Sequence, residues 1–223
     1  MLEEFLGRQV TRPILDQGWV DVMIDVDRDT NGKAINERLK GQRSGGLPWM
    51  VILDADGTEI VSSNVQEPGS KRDGRNVGGP VADWECAWFV EMLRRSAGNR
   101  VNGAQLRAVR DDLEAFAGER RRAQEAARNE RYARVALTSA KTIADAIKMY
   151  YTLNGRIPAK LEDLVNGGPN GAGRNYLEKL VPDPWGQAFV LKGDSSKTFE
   201  VVSAGPDGKV GTADDISSRR KPR

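Results

Sequence analysis

Apolar residues in the first hundred positions of the chain alternate between helical and strand-like spacing. Residues 2–6 have the spacing of a short helix, and the β-rich run over residues 19–26 predicts a strand. Residues 48–53 are nearly all apolar and predict a strand buried on both faces, after which Asp56-Gly57 predicts a hairpin turn. The region therefore combines helices with strands.

Two further helices complete this region. We expect one over residues 30–39, with Thr30 as its N-cap, and an amphipathic one over residues 83–95 that Gly98 ends. Residues 63–80 are rich in glycine and proline and predict a long loop. Together these elements predict an α/β domain over residues 1–98.

The middle of the chain predicts one long helix. Residues 104–153 contain no proline and one glycine. Their apolar stripe fades within residues 119–127, so residues 99–130 read as a charged helical connector, and the stripe returns from Tyr132. Short strands at 189–191 and 199–202 then predict an α+β domain over 131–217, a long helix on a small antiparallel sheet, before a disordered basic tail at 218–223.

Composition excludes several classes of function. Lysine and arginine number 34 against 32 acidic residues, for a net charge of +2, so we expect no nucleic-acid partner. The longest uncharged apolar run, residues 47–53, is too short to span a bilayer. There is no histidine, and Cys86 is the one cysteine, which excludes a Ser-His-Asp triad, a histidine zinc site and an internal disulfide. We predict that the chain is not an enzyme and that Cys86 is a core thiol.

The N-terminal half resembles part of a thioredoxin-like domain. The likeness covers residues 2 to about 97 and is carried by Gly46-Leu47-Pro48, the apolar run after it, and the Asp56-Gly57 turn. In that family a cis-proline precedes a buried strand and presents main chain to a bound thiol or peptide. The resemblance therefore implies a peptide-binding role for Pro48.

This half also departs from the family pattern. The residues that resemble the family's catalytic helix, 2–6, match only its end, and no Cys-x-x-Cys pair is present. The strand that lies mid-sheet in the family is missing too. Two alternatives follow: a thiol-disulfide oxidoreductase whose cysteines lie upstream of Met1, or a peptide-binding thioredoxin-like module.

The C-terminal half resembles the major pseudopilin of type II secretion systems over residues 128–217. The motifs are Asn-Gly-Arg-x-Pro at 154–158, Asp-Pro-Trp-Gly at 183–186 and Gly-x-Asp-Gly at 205–208. Asn154-Gly155 is also a typical helix end, and Trp185 is expected to cover the small core. The resemblance implies a pseudopilin-like fold in this half.

A glycine-rich acidic loop follows, at residues 205–215. Hard cations such as Ca²⁺ take six to eight oxygen ligands, and a loop of this composition offers carboxylates and carbonyls. The resemblance implies a Ca²⁺ site with the side chains of Asp207, Asp214 and Asp215 and the carbonyls of Ala204 and Val210. The alternative from the residues alone is a polar loop closed by local turn bonds. The Asp-x-Asp-x-Asp run at 25–29 lacks the glycine and glutamate of an EF-hand and is not predicted to bind calcium.

These observations predict a non-enzymatic, calcium-stabilised structural or interaction protein, fused to a redox-inactive thioredoxin-like domain. A pseudopilin normally begins with an apolar helix that anchors it, whereas residues 100–129 are charged. We therefore expect an interaction module rather than a standard filament subunit. The expected partners are proteins of a secretion or cell-envelope assembly, and the resemblance favours the envelope or periplasm.

Overall fold

A computed structural model describes residues 2–166 and 174–220 of the chain. By the density of contacts it divides into two compact units, Met1–Ala123 and Gln124–Arg223. None of the helices in the described part carries an apolar stretch long enough to cross a membrane.

The N-terminal unit is built mainly from helices. Its helices are α1 (Leu2–Leu6), α2 (Thr11–Gly18), α3 (Gly32–Lys40), α4 (Asp83–Ser96) and the first part of α5 (Gly103–Asn154). Its strands, β1 (Val51–Leu53) and β2 (Glu59–Ser62), form an antiparallel pair. The predicted hairpin is confirmed, and Asp54 closes it by accepting hydrogen bonds from the main-chain N–H groups of Asp56 (3.0 Å) and Thr58 (2.8 Å).

The start of α5 belongs to the core of the N-terminal unit. Asn102 caps the helix, because its side-chain oxygen accepts bonds from the N–H groups of Ala104 (2.9 Å) and Gln105 (3.0 Å). The buried side chains of this core, called here the N-terminal core, are Phe5, Leu15, Cys86, Phe89, Leu93, Val109, Leu113, Phe116 and Ala117. The predicted connector at 99–130 therefore begins as a packed core helix and becomes exposed only from about residue 121.

Helix α2 has no counterpart in the sequence-based prediction. The Asp112 carboxylate on α5 accepts hydrogen bonds from Arg8 Nε (2.8 Å) and from Thr11 Oγ1 (2.7 Å) at the start of α2. Thr11 is fully buried. The helix thus depends on a contact with a residue about a hundred positions away, which no local pattern reveals.

The predicted strand at residues 19–26 is wrong. Residues 19–25 belong to neither a helix nor a strand, and Val20 and Val22 are 90% and 77% exposed. A strand requires a neighbour for its main-chain groups, and within the described residues β1 pairs with β2 alone. Helix α3 also starts later than predicted: Asn31, at φ 64°, occupies the N-cap position, and Thr30 does not cap it.

The loop that precedes β1 is held by two asparagines. The peptide bond Leu47–Pro48 is cis, as the thioredoxin-like resemblance implies. Asn76 Nδ2 donates to the carbonyls of Gly46 (2.9 Å) and Pro48 (3.2 Å), and Asn64 Oδ1 accepts from Trp49 Nε1 (2.7 Å). The main-chain carbonyl of Pro48 is therefore already engaged within the chain.

The C-terminal unit packs the rest of α5 on a small sheet, which confirms the predicted α+β arrangement. Its strands β3 (Val190–Lys192), β4 (Glu200–Ser203) and β5 (Ile216–Ser217) are antiparallel in the order β3-β4-β5, and a short 3-10 helix spans Leu161–Leu164. Gly155, at φ 68°, ends α5 as predicted. The sequence patterns missed β5.

Small residues line the face of α5 that packs on the sheet. The buried side chains, called here the C-terminal core, are Ala140, Ile143, Ala144, Ala146, Ile147, Tyr150, Leu161, Leu164, Phe189, Phe199 and Val201. The three alanines leave room for the phenylalanines to lie against the helix. Trp185 is not among them, contrary to the prediction: its indole is half-buried, packs edge-on against Tyr132 at 5.6 Å between ring centroids, and donates to Asn129 Oδ1 (3.2 Å).

The chain end is more ordered than predicted as far as Arg220. Arg219 Nε donates to the carbonyl of Phe199 (3.0 Å), and Ser218 N–H donates to the carbonyl of Val201 (2.8 Å). These bonds continue the pairing of β5 along β4. Residues 221–223 lie outside the described part of the chain, as do residues 167–173.

A buried carboxylate joins the Asp-Pro-Trp-Gly turn to the sheet. Asp183 is 5% exposed. Its carboxylate accepts bonds from the N–H groups of Trp185 (3.1 Å) and Gln187 (2.8 Å) and from Ser203 Oγ on β4 (2.5 Å). A carboxylate is suited to this position because three donors converge on it, two from the main chain and one from the Ser203 side chain.

We predict that Asp183→Ala destabilises the C-terminal unit by about 2–4 kcal/mol, because three donors, of which the Ser203 hydroxyl is buried, lose their acceptor. Asp183→Asn should recover part of that loss, since its amide oxygen still accepts and the Ser203 hydroxyl can accept from its amide. Urea unfolding followed by circular dichroism measures both changes. The exposed Glu178→Ala is the control and should change stability by no more than about 0.5 kcal/mol; an Asp183→Ala variant as stable as this control contradicts the prediction.

Candidate metal-binding loop

The predicted metal site lies in the connection between β4 and β5, residues 204–215, called here the acidic loop. Pairing of Ser203 with Ile216 brings the two ends of the loop together. Ser203 Oγ, bound to Asp183, also accepts a hydrogen bond from Gly205 N–H (3.3 Å). The base of the loop is therefore fixed by buried groups, while residues 206–213 are exposed.

A glycine is required where the two arms of the loop meet. Gly205 has φ 66°, and a Cβ atom there would lie 2.5 Å from the main-chain oxygen of Asp214 and 2.9 Å from its Oδ2 atom. A side chain at this position would therefore push Asp214 away from the loop base.

Asp214 and Asp207 hold the loop closed through one hydrogen bond. The N–H of Asp207 donates to Asp214 Oδ2 (3.1 Å), and Thr212 Oγ1 donates to Asp214 Oδ1. The hydroxyl of Thr212 is the main cause of a lowered pKa at the Asp214 carboxyl, and the N–H of Asp207 adds to it. The Asp207 carboxylate instead accepts a bond from the N–H of Lys209 (2.8 Å) in its own turn.

Asp215 has one oxygen in use and one without a partner. Its Oδ2 atom accepts from Gly211 N–H (2.8 Å) and lies 3.5 Å from Lys192 Nζ on β3. Its Oδ1 atom is buried and has no hydrogen-bond partner among the described residues. A buried carboxylate oxygen without a donor is costly, so this atom points to a missing positively charged or donating group.

The five predicted ligands are close in sequence but are not drawn into a single acidic cluster. Across residues 2–166 and 174–220, no group of three or more acidic or cysteine side chains is arranged to hold a metal ion. Ala204 is buried at the loop base, and Val210 is 42% exposed at its far end. Local turn hydrogen bonds, the alternative given in the sequence analysis, therefore explain the positions of most polar groups in the loop. They do not explain the Asp215 oxygen that has no partner.

Sequence reasoning missed two residues that shape this loop. Lys192 comes from a different strand, and its contact with Asp215 depends on the pairing of β3 with β4. Thr212 lies within the loop but resembles any polar loop residue in the sequence.

The aspartates at 25–29, which were not predicted to bind calcium, form a local turn: Asp25 Oδ1 accepts from the N–H groups of Asp27 and Arg28 (both 3.0 Å).

Comparisons with known proteins concern the C-terminal region. Residues 123–219 match the family model described as type II secretion system (T2SS), protein G. The type II secretion system core protein G of Escherichia coli (strain K12) is 34% identical over 93 residues, which cover 37% of this chain and 64% of that protein. The protein of the same name from Pseudomonas aeruginosa is 38% identical over 90 residues, which cover 36% of this chain and 63% of that protein.

A third relative and one solved structure also match part of this chain. The core protein G of Xanthomonas campestris is 33% identical over 84 residues, 35% of this chain and 58% of that protein. The crystal structure of the major pseudopilin of enterohaemorrhagic Escherichia coli matches at 26% identity and a TM-score of 0.35, covering 42% of this chain and 90% of that one. The chain thus spans less than two thirds of the length of the curated relatives it matches.

The matches bear on both resemblances drawn from the sequence. They agree with the pseudopilin motifs at 154–158, 183–186 and 205–208, and the relatives are named as secretion-system core proteins, which agrees with the prediction of a non-enzymatic protein. The thioredoxin-like resemblance of residues 2–97 has no support in them. The C-terminal region of this chain, residues 123–219, is therefore related to protein G of the type II secretion system.

Proposed function

We propose that the chain is a non-enzymatic structural or interaction protein of a secretion or cell-envelope assembly, whose C-terminal unit is stabilised by Ca²⁺ bound at the acidic loop. The family match over residues 123–219 carries the proposal. Core protein G of the type II secretion system is the relative from which the assembly role is inferred. The matched region includes the entire acidic loop and the sheet that holds it.

The orphaned Asp215 oxygen supports the calcium part of the proposal. Ca²⁺ prefers carboxylate and carbonyl oxygens, and its coordination is flexible enough to combine both. Asp214 and Asp215 would provide carboxylates, and Ala204 and Val210 carbonyls. Asp207 would join them if its side chain leaves the Lys209 turn. The ion would supply charge compensation at the loop, and the Asp183–Ser203 bond already fixes the loop base.

We expect Ca²⁺ to raise the thermal unfolding midpoint of the C-terminal unit. At a hundredfold excess over the dissociation constant, binding to the folded state alone contributes about 2.7 kcal/mol. Calorimetry of the whole chain with Ca²⁺, with Mg²⁺ and with a chelator measures this shift. Asp215→Asn should reduce the Ca²⁺ shift, whereas Asp194→Asn, on an exposed residue of the same unit outside the loop, should leave it unchanged. Equal midpoints with calcium and chelator exclude the site.

Lys192 gives a second and sharper test. Its ammonium group lies 3.5 Å from Asp215 Oδ2 and competes with any cation for that carboxylate. Because one unit charge at about 4 Å is worth on the order of 1–4 kcal/mol near a protein surface, we predict that Lys192→Met tightens Ca²⁺ binding by roughly tenfold. Isothermal titration with Ca²⁺ measures the change. Lys209→Met is the matched control, because Lys209 is an exposed lysine of the same loop whose ammonium group makes no ion pair within the described residues. Equal tightening there would show a general charge effect.

The environment of Cys86 disfavours a role for this residue in disulfide exchange. Cys86 lies in α4, is 2% exposed, and packs with Phe89 and Leu93 in the N-terminal core. Burial raises the pKa of its thiol from 9.0 to about 11. The thiolate is the nucleophile in disulfide exchange, so a buried thiol with this pKa is a poor candidate for that role.

We predict that Cys86 reacts with an aromatic disulfide reagent at least about a hundredfold more slowly in the folded chain than in urea. The raised pKa alone lowers the thiolate fraction at neutral pH by that factor, and burial limits access further. Absorbance of the released thiolate follows the reaction. Comparable rates in the folded and unfolded chain would contradict the assignment of Cys86 as a core thiol.

A redox-inactive, thioredoxin-like identity for the N-terminal unit is part of the same proposal. The β1–β2 hairpin and the helix α4 support it, because they follow one another in the order that the resemblance requires. Peptide binding by the main chain at Pro48 is a weaker candidate function, because Asn76 already donates to the Pro48 carbonyl.

A further inference from the structure

Residues 20–24 form an exposed apolar segment in the N-terminal unit, called here the bare segment. Its apolar side chains are exposed by 90% at Val20, 77% at Val22, 61% at Met23 and 37% at Ile24. Four such side chains within five residues are unusual for a surface, where large apolar residues normally occur singly. The acidic loop and the proposed calcium site do not involve them.

The bare segment is anchored at both ends. Before it, Trp19 packs against the N-terminal core and donates from Nε1 to Ser96 Oγ (2.9 Å). After it, Asp25 N–H donates to Asp29 Oδ2 (2.7 Å), and the Asp25 carbonyl lies so close to Gly32 that a Cβ there would be 2.5 Å away. The segment is thus held between two fixed points.

The main chain between these anchors is unpaired. Within the described residues, no hydrogen bond is made by the N–H or carbonyl groups of residues 20–24. Trp19, immediately before them, is extended at φ −140° and ψ 156°. Val20, Val22 and Ile24 are β-branched and alternate along the chain, so the segment has the pattern of a strand without the neighbour that a strand needs.

Unpaired main chain identifies the kind of partner that would cover this segment. A micelle or an apolar helix would bury the valines but leave the N–H and carbonyl groups unsatisfied, whereas an added strand satisfies both. Strand β1 also has one edge unpaired among the described residues. Its Ile52, and Met50 just before it, border the same N-terminal core as Trp19.

Charge decides between a second copy and a different partner. Residues 19–29 contain four aspartates and a single arginine, a net charge of −3. Ion pairs from Arg12 to Asp21 (2.9 Å) and from Lys33 to Asp27 (4.0 Å) offset two of these charges and leave a net negative charge at the segment. Two copies paired through this segment would bring the remaining negative charges of both together, which disfavours self-association. A strand that carries lysine or arginine would instead place opposite charges across the pairing.

We propose that residues 20–24 accept an extended, basic strand from another polypeptide, which pairs with their main chain and covers Val20 and Val22. The interaction is strand addition, in which main-chain hydrogen bonds give affinity and alternate side chains give specificity. It does not depend on calcium or on the C-terminal unit.

The test uses the full chain and a fluorescein-labelled peptide of about eight residues, a typical strand length, in which valine alternates with lysine or threonine. Anisotropy measures binding, and hydrogen exchange locates it. We expect saturable binding and slower exchange at the amides of residues 20–24. A peptide with glutamate in place of each lysine should bind at least about tenfold more weakly, since each cross-strand charge pair contributes up to about 1 kcal/mol.

Two variants separate strand pairing from general stickiness. Val22→Pro removes an N–H group and prevents regular pairing, so it should abolish binding, while Val22→Thr keeps the main chain and should bind within a few-fold of the natural chain. Because Val22 is exposed, neither variant should change the unfolding midpoint, which is measured alongside.

The other outcomes each overturn the proposal. Equal affinity for the basic and acidic peptides removes the charge argument, and no binding or no protection at residues 20–24 removes the site. A dimer in sedimentation with these amides protected in the absence of peptide assigns the segment to a second copy. Binding to phosphatidylcholine vesicles that Val22→Pro does not change assigns it to a membrane surface.

Discussion

The C-terminal unit depends on one buried hydrogen-bonded pair, Asp183 with Ser203. The pair connects the Asp-Pro-Trp-Gly turn to β4, and Ser203 is also the residue at which the acidic loop leaves the sheet. A buried carboxylate is tolerated there because main-chain donors of Trp185 and Gln187 satisfy its remaining lone pairs. The turn, the central strand β4 and the base of the acidic loop are therefore held by the same polar contact. A substitution that removes this contact should destabilise all three.

The long helix α5 could be predicted because its signals are local. The absence of proline over residues 104–153, the asparagine before it and the glycine after it are visible in the chain itself, and the structure places its ends at Gly103 and Asn154. The β1–β2 hairpin could be predicted for the same reason, since Asp56-Gly57 specifies its turn. Elements whose start, end or turn is determined by a few neighbouring residues can be predicted correctly from the sequence.

Several of the failures involve partners that are distant in the chain. Residues 19–26 have the composition of a strand, but composition cannot supply a neighbouring strand, and the run remains unpaired. Helix α2 depends on Asp112, and the environment of Asp215 depends on Lys192. For the acidic loop, the sequence shows a glycine-rich acidic segment, and its Ca²⁺ site, implied by the resemblance, stays a prediction. The turn bond of Asp207 and the salt bridge of Asp215 became visible only in the structure.

The described residues contain two buried side-chain atoms without hydrogen-bond partners, and the difference between them carries the argument for a cation. One is Ser62 Oγ and the other is Asp215 Oδ1. A hydroxyl without a partner costs on the order of 1–3 kcal/mol, and this cost is within what a packed strand tolerates. An ionised oxygen costs more, and its neighbour Asp214 is held ionised by a lowered pKa. Only one ammonium group, Lys192, reaches the pair within ion-pair distance in the described part of the chain. Two adjacent carboxylates with one ammonium group beside Asp215 retain a negative charge at the base of a glycine-rich loop, and that residual charge is what a divalent ion would neutralise.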